Sequence, residues 1–66
     1  MRNIIKFKRK SKKLSQEELA KLCGVSRQTI NAIENDKYDP TLQLAFQLAF
    51  HLESAVDELF QFQGVR

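Results

Sequence analysis

Residues 14–26, LSQEELAKLCGVS, constrain this chain more than any other stretch, because a helix start, a helix stop and a second helix start fall within thirteen residues. Ser15 followed by Glu18 is a capping box: the serine hydroxyl can accept from the Glu18 amide while the glutamate carboxylate reaches back to the Ser15 amide. Leu14 before the cap and Leu19 at the fourth helical position have hydrophobic-staple spacing, and Leu19, Leu22 and Cys23 continue an apolar stripe. Gly24 stops the helix in the left-handed conformation that a residue without a Cβ adopts at no steric cost. Ser26 then caps a further helix, with Val25 and Ile30 as its staple. That helix buries Ile30 and Ile33 and directs Arg27, Gln28, Asn31 and Asn35 elsewhere. Two short helices therefore meet across a turn of about three residues.

The rest of the chain is arranged around this pair. Ile4, Ile5 and Phe7, followed by lysines up to Lys13, predict a first helix of about three turns with one apolar side, ended by Leu14. A polar loop covers residues 35–40, and Thr41 caps a fourth helix over 42–52. Leu42, Leu44, Ala45, Phe46, Leu48, Ala49, Phe50 and Leu52 occupy nearly every side of it, more than one domain face can bury. Ser54 with Asp57 reads as another capping pattern, opening a short fifth helix through Val56, Leu59 and Phe60. The alternation Phe60-Gln61-Phe62-Gln63 has strand character. With 66 residues, 42% of them hydrophobic and 29% charged, the expectation is one folded domain over 1–66. A domain this small has no room for a deep substrate cleft, so a stand-alone enzyme is not expected. One cysteine and one histidine supply neither a disulfide nor the four ligands of a structural zinc site, so no metal and no cofactor are expected. No apolar run approaches the length of a membrane span or of a signal-peptide core, which points to the cytoplasm.

Charge is distributed unevenly. Residues 1–13 carry Arg2, Lys6, Lys8, Arg9, Lys10, Lys12 and Lys13 and no acid, whereas residues 14–66 carry four basic and eight acidic residues. A cationic end of this kind attracts a polyanion, either nucleic acid or an anionic membrane surface. A solvated lysine-rich helix has the same composition, so charge alone does not decide.

The paired helices do. A short turn around Gly24, with a second helix that presents a polar face between two apolar anchors, is the layout of a helix-turn-helix. Arg27 and Gln28 open that second helix. Arginine pairs with guanine O6 and N7 in the major groove, and glutamine with adenine N6 and N7. Asn31 lies one turn beyond Arg27 and Ala32 one turn beyond Gln28, where the alanine methyl suits a thymine methyl. Over residues 16–35 the pattern Leu19, Ala20, Cys23, Gly24, Val25, Ile30 and Ile33, with the segments SQEELA, VSRQTI and IEN and the following KYDPTLQLA, resembles the phage Cro and repressor type of helix-turn-helix regulators, often called Xre-like. Its shortest stand-alone dimeric repressors are the most similar in layout.

The resemblance implies an all-α, five-helix lambda-repressor-like domain, with a short two-stranded β-ribbon between residues 1–4 and the 60–63 stretch as the expected addition. It implies base reading by Arg27 and Gln28, with Asn31 and Ala32 extending the surface, and phosphate contacts by Gln16, Asn35, Lys37 and Tyr38. Thr41 and Lys13 join the phosphate set, as does Arg9, which resembles a family arginine that ties down the end of the recognition helix through Glu34. Tyr38 has a second reading, packing against Pro40. The chain departs from the family pattern at Lys8, which stands where a core residue is frequent, at Asp36, which replaces a frequent glycine, and at Leu44 and Phe50, apolar where relatives are often polar. The surplus apolar set Phe50, Val56, Leu59, Phe60 and Phe62 predicts a symmetric homodimer joined through a region at about 50–63, bound to a palindromic double-stranded DNA operator. No small-molecule effector site and no membrane contact are expected. The alternative is an antitoxin-type DNA-binding protein that holds a toxin partner on the same apolar surface.

Overall fold

The computed structural model describes residues 1–61. In chain order the elements are β1 (Arg2–Asn3), α1 (Ile5–Ser11), α2 (Gln16–Cys23), α3 (Arg27–Glu34), α4 (Leu42–His51), α5 (Val56–Leu59) and β2 (Phe60–Gln61). The five helices and the ribbon are those expected. β1 and β2 pair antiparallel with Arg2 opposite Gln61 and Asn3 opposite Phe60, and the Ile4 amide continues the pairing by donating to the Leu59 carbonyl at 2.9 Å. Phe62 lies outside the described residues.

Local chemistry explains where the central helices begin. At α2 both halves of the capping box form: Glu18 N–H donates to Ser15 Oγ at 3.0 Å and Ser15 N–H donates to Glu18 Oε1 at 2.8 Å. Ser26 and Thr41 accept from Thr29 N–H and Leu44 N–H, each at 3.2 Å, and so cap α3 and α4. The fifth helix starts one residue later than the Ser54–Asp57 pattern suggests. Ala55 is its N-cap, and Glu58 supplies only the carboxylate half of a box by accepting from the Ala55 amide at 2.9 Å. Ser54 is drawn inward, and its hydroxyl has no partner among the described residues.

Helix ends show a recurring device. The amides of Leu14, Val25, Lys37 and Ser54 reach back to the carbonyls of Arg9, Ala20, Ala32 and Ala49 at 3.1, 3.0, 2.9 and 2.9 Å. Each such closure puts the preceding residue in the left-handed region. That residue is glycine only at Gly24, with φ +70°; the others are Lys13, Asp36 and Glu53 at 59°, 61° and 52°. Asp36 therefore takes the conformation of the glycine it replaces. A Cβ added at Gly24 would meet no atom within 4 Å, so its conformation, and not space, is what favours glycine there. The turn at Lys13 also ends α1 after seven residues, shorter than the three turns expected.

Ile5, Leu19, Ile30, Ile33, Leu48, Leu52 and Leu59 are fully buried and form the centre of the core. Ala20 and Cys23 lie in the same core where α2 meets α3, and burial pushes the Cys23 thiol pKa up. Three sequence expectations change here. Phe7 is 68% exposed, whereas Ile5 is fully buried and Ile4 packs against the core. Leu44 is buried on the core side of α4, so it is not surplus. Leu59 and Phe60 are also buried, because the β-ribbon holds residues 59–61 over the core; they have little surface left to offer a second subunit. Lys8, which stands where a core residue is frequent, is partly buried and borders a depression with Leu52, as a lysine covering the core edge with its stem would.

Candidate nucleic-acid interface

Helix α3 is anchored by Ile30 and Ile33 underneath and leaves Arg27, Gln28 and Asn31 exposed, with Ala32 partly so. Gln28, Thr29 and Ala32 share a shallow concavity with Lys37 and Tyr38, so the helix and the loop after it form one continuous surface. Asn3 ties that loop to the ribbon: its Nδ2 donates to the Ile33 carbonyl at 2.8 Å and to Asp36 Oδ1 at 3.3 Å. Tyr38 is half exposed and borders a second depression with Thr29 and Thr41, whose hydroxyl is already engaged in capping α4. Lys13 is exposed at the turn between α1 and α2.

Arg9 is placed differently from the expectation of an exposed phosphate contact. Its guanidinium donates to Glu34 through Nε (2.7 Å to Oε2) and NH2 (3.2 Å to Oε1), and through NH1 to the Leu14 carbonyl at 2.8 Å. The two side chains are only 9% and 2% exposed. Every arm of the fork is used inside the protein, so Arg9 braces α1 against the end of α3 and is removed from the phosphate set. A surface pair would contribute about 0–1 kcal/mol. Buried as this one is, breaking it would leave a charge without compensation, at a cost of about 3–5 kcal/mol.

The same carboxylate organises the amides around it. Gln16 Nε2 donates to Glu34 Oε1 at 3.0 Å and to Asn31 Oδ1 at 3.1 Å. Asn35 Nδ2 donates to the Asn31 carbonyl at 2.8 Å and to Asn31 Oδ1 at 3.1 Å. Gln16 and Asn35 thus spend both amide hydrogens within the protein, and what each has uncommitted is an oxygen, the wrong polarity for phosphate. At the start of α2 an anion is left with backbone N–H groups, beside Glu17 and the capping Glu18. The Ser15 amide and hydroxyl hold the Glu18 carboxyl below its ordinary pKa. Sequence reasoning paired Arg9 with Glu34 but missed their burial and missed Glu34 as the acceptor that holds Gln16 and, through it, Asn31. The i, i+3 spacing of Asn31 and Glu34 on α3 was the available signal.

A second exposed feature lies on α4. Leu42, Phe46 and Phe50 are 71%, 59% and 77% exposed at i, i+4, i+8 spacing, one continuous stripe. Phe46, Phe50 and Val56 border an apolar groove floored by Ala49 and Ser54. Of the expected interface residues Phe50 and Val56 lie on it; Phe46, not singled out from the sequence, belongs there too. Among the described residues no cluster of His, Cys, Asp and Glu could hold a metal, and no helix is long and apolar enough to cross a membrane.

Comparison with known proteins agrees with this geometry. Residues 5–59 match the helix-turn-helix family model. An uncharacterized HTH-type transcriptional regulator of Methanocaldococcus jannaschii is 48% identical over 63 residues, 96% of each chain. Among solved structures, the restriction-modification controller protein C.AhdI from Aeromonas hydrophila superposes with a TM-score of 0.78 at 34% identity, over 85% of both chains. A hypothetical transcription factor, NHTF, from Neisseria gives 0.76 at 31% identity, over 82% of this chain and 61% of that one. The chain belongs to the helix-turn-helix family, in its Cro and repressor (Xre-like) branch. It is a DNA-binding transcriptional regulator, and the family is not a class of enzymes.

Proposed function

We propose that the protein binds a palindromic operator as a homodimer, with α3 of each subunit in the major groove, and represses by occupying that DNA. The observation that carries this reading is the pairing of two surfaces: the polar face of α3 running into Lys37 and Tyr38, and the exposed apolar stripe of α4. One recognition helix contacts too few base pairs for genomic specificity, and two-fold pairing sets a second helix about one DNA turn away, ~34 Å. Phe46, Phe50 and Val56 supply the contact between subunits, with the 50–63 region, including Phe62, as the dimerisation segment of a single domain. Arg27, Gln28, Asn31 and Ala32 read bases; Lys13, Lys37 and Tyr38 hold phosphates, with Thr41 alongside. The duplex it binds places its work in the cytoplasm.

Operator binding across a panel of mutated sites tests the division of labour. Arg27→Ala or Gln28→Ala should remove discrimination at particular base pairs, about 1–3 kcal/mol each, while Lys37→Ala weakens all sequences alike. With Lys13 and Lys37 of each subunit neutralising about four phosphates in a dimer, log K should fall against log salt with a slope of about −4. A flat salt response, or the same base profile for Arg27→Ala and Lys37→Ala, would remove the reading. Should the purified protein sediment as a monomer, the α4 stripe would belong instead to a different partner, as in the antitoxin alternative.

A further inference from the structure

Amides can usually be turned either way, because oxygen and nitrogen differ little in shape. Here the turning is decided by chemistry that begins at Arg9. A guanidinium only donates, so both Glu34 oxygens act as acceptors toward it. Gln16, 3.0 Å from Glu34 Oε1, must present its nitrogen to that oxygen. The second hydrogen on the same nitrogen is then directed at Asn31, where at 3.1 Å it requires the Asn31 oxygen. Asn35 is fixed independently. It lies 2.8 Å from the Asn31 backbone carbonyl, which only accepts, so its nitrogen faces that carbonyl and its second hydrogen meets Asn31 Oδ1 at 3.1 Å. An amide oxygen has two lone pairs, and both on Asn31 are taken. Its Nδ2, with two hydrogens, has no acceptor among the described residues, and Asn31 is exposed on α3.

Resting on the proposed DNA reading, we infer that Asn31 is a donor-only reader that selects guanine, with Gln16 and Asn35 as positioning residues that fix its polarity and Arg9–Glu34 as the source of that polarity. An asparagine free to turn pairs with adenine through N6 and N7, donating with its nitrogen and accepting with its oxygen. Asn31 cannot accept. Guanine offers two acceptors in the major groove, O6 and N7, and suits it; adenine offers one, and the cytosine amino group offers none.

Selection of bound sequences from random duplex DNA, run on the wild type, on Asn31→Ala and on the double variant Gln16→Ala/Asn35→Ala, tests this. Asn31→Ala identifies the position read, by flattening a guanine preference at one place in each half-site about fivefold or more. The double variant keeps Asn31 but frees its oxygen, and adenine should rise against guanine at that same position by a similar factor, with the Arg27 and Gln28 positions unchanged. Gln16 and Asn35 lie outside the core; Asn35→Ala alone, which frees one lone pair, serves if the double variant does not fold. Adenine at the wild-type position, no position altered by Asn31→Ala, or a double variant that loses affinity with its base preferences intact would each overturn the inference. A wild type that enriches no sequence at all would instead overturn the DNA reading beneath it.

Discussion

The face built by α2 and α3 and the face built by α4 and α5 both meet solvent, but their exposed groups are in opposite conditions. On the first, Gln16, Asn31 and Asn35 orient one another around a buried arginine–glutamate pair, and water is not needed to hold their orientation. On the second, Leu42, Phe46 and Phe50 stand in a row with nothing among the described residues covering them. The first is a finished surface with fixed donors and acceptors, suited to a ligand whose recognition depends on direction. The second is unfinished, and its non-directional gain is collected only when another apolar surface arrives.

Four variants break or sharpen this contrast. Arg9→Met should have the largest effect, about 3–5 kcal/mol of stability lost, because Glu34 stays buried without its cation and the amide arrangement loses its anchor. Thermal unfolding of the variant measures it, and a change below about 1 kcal/mol would mean the pair is solvated. Phe46→Asp with Phe50→Asp should leave the monomer's stability nearly unchanged but weaken self-association by at least about 3 kcal/mol, on the order of a hundredfold in Kd. Sedimentation reads this directly, and a variant as dimeric as the wild type would take α4 out of the interface. The smallest effect is a gain. Glu53→Gly relieves a left-handed residue and should add a few tenths of a kcal/mol, less than at a free turn because the 2.6 Å contact between Lys12 and Glu53 is lost with it. Comparing it with Asp36→Gly, which loses only the longer Asn3 contact, separates backbone relief from side-chain bonding.

The start of α2, the turn at Gly24 and the start of α3 were legible because the signals are local: Ser15 with Glu18, glycine at the stop, Ser26 at the next cap. The stop of α1 was not, since Lys13 carries no mark of the left-handed conformation it takes. The rotation of α4 was equally hidden. With apolar residues on nearly every side, the sequence offers several candidate core faces, and packing against α2 and α5 chooses Leu44, Ala45, Leu48 and Ala49. Leu59 and Phe60 were assigned to a partner because they sit late in an apolar tail. Their burial depends on β2 finding β1; the resemblance implied that ribbon, but no window of neighbouring residues shows that it turns Leu59 and Phe60 into the core.

That ribbon also sets a timetable. A chain leaving the ribosome presents α2 and α3, with their self-contained caps, before residues 60–61 emerge. Until those residues appear, the Ile4 amide has no Leu59 carbonyl to bond, Asn3 has no strand to hold it against the end of α3, and Leu59 is missing from the core. Closing such a long loop adds only a slowly growing entropic cost, so the step is late without being forbidding. The α2–α3 pair is thus made early and locked last, and its exposed face gains its full rigidity only when the two ends of the described chain meet.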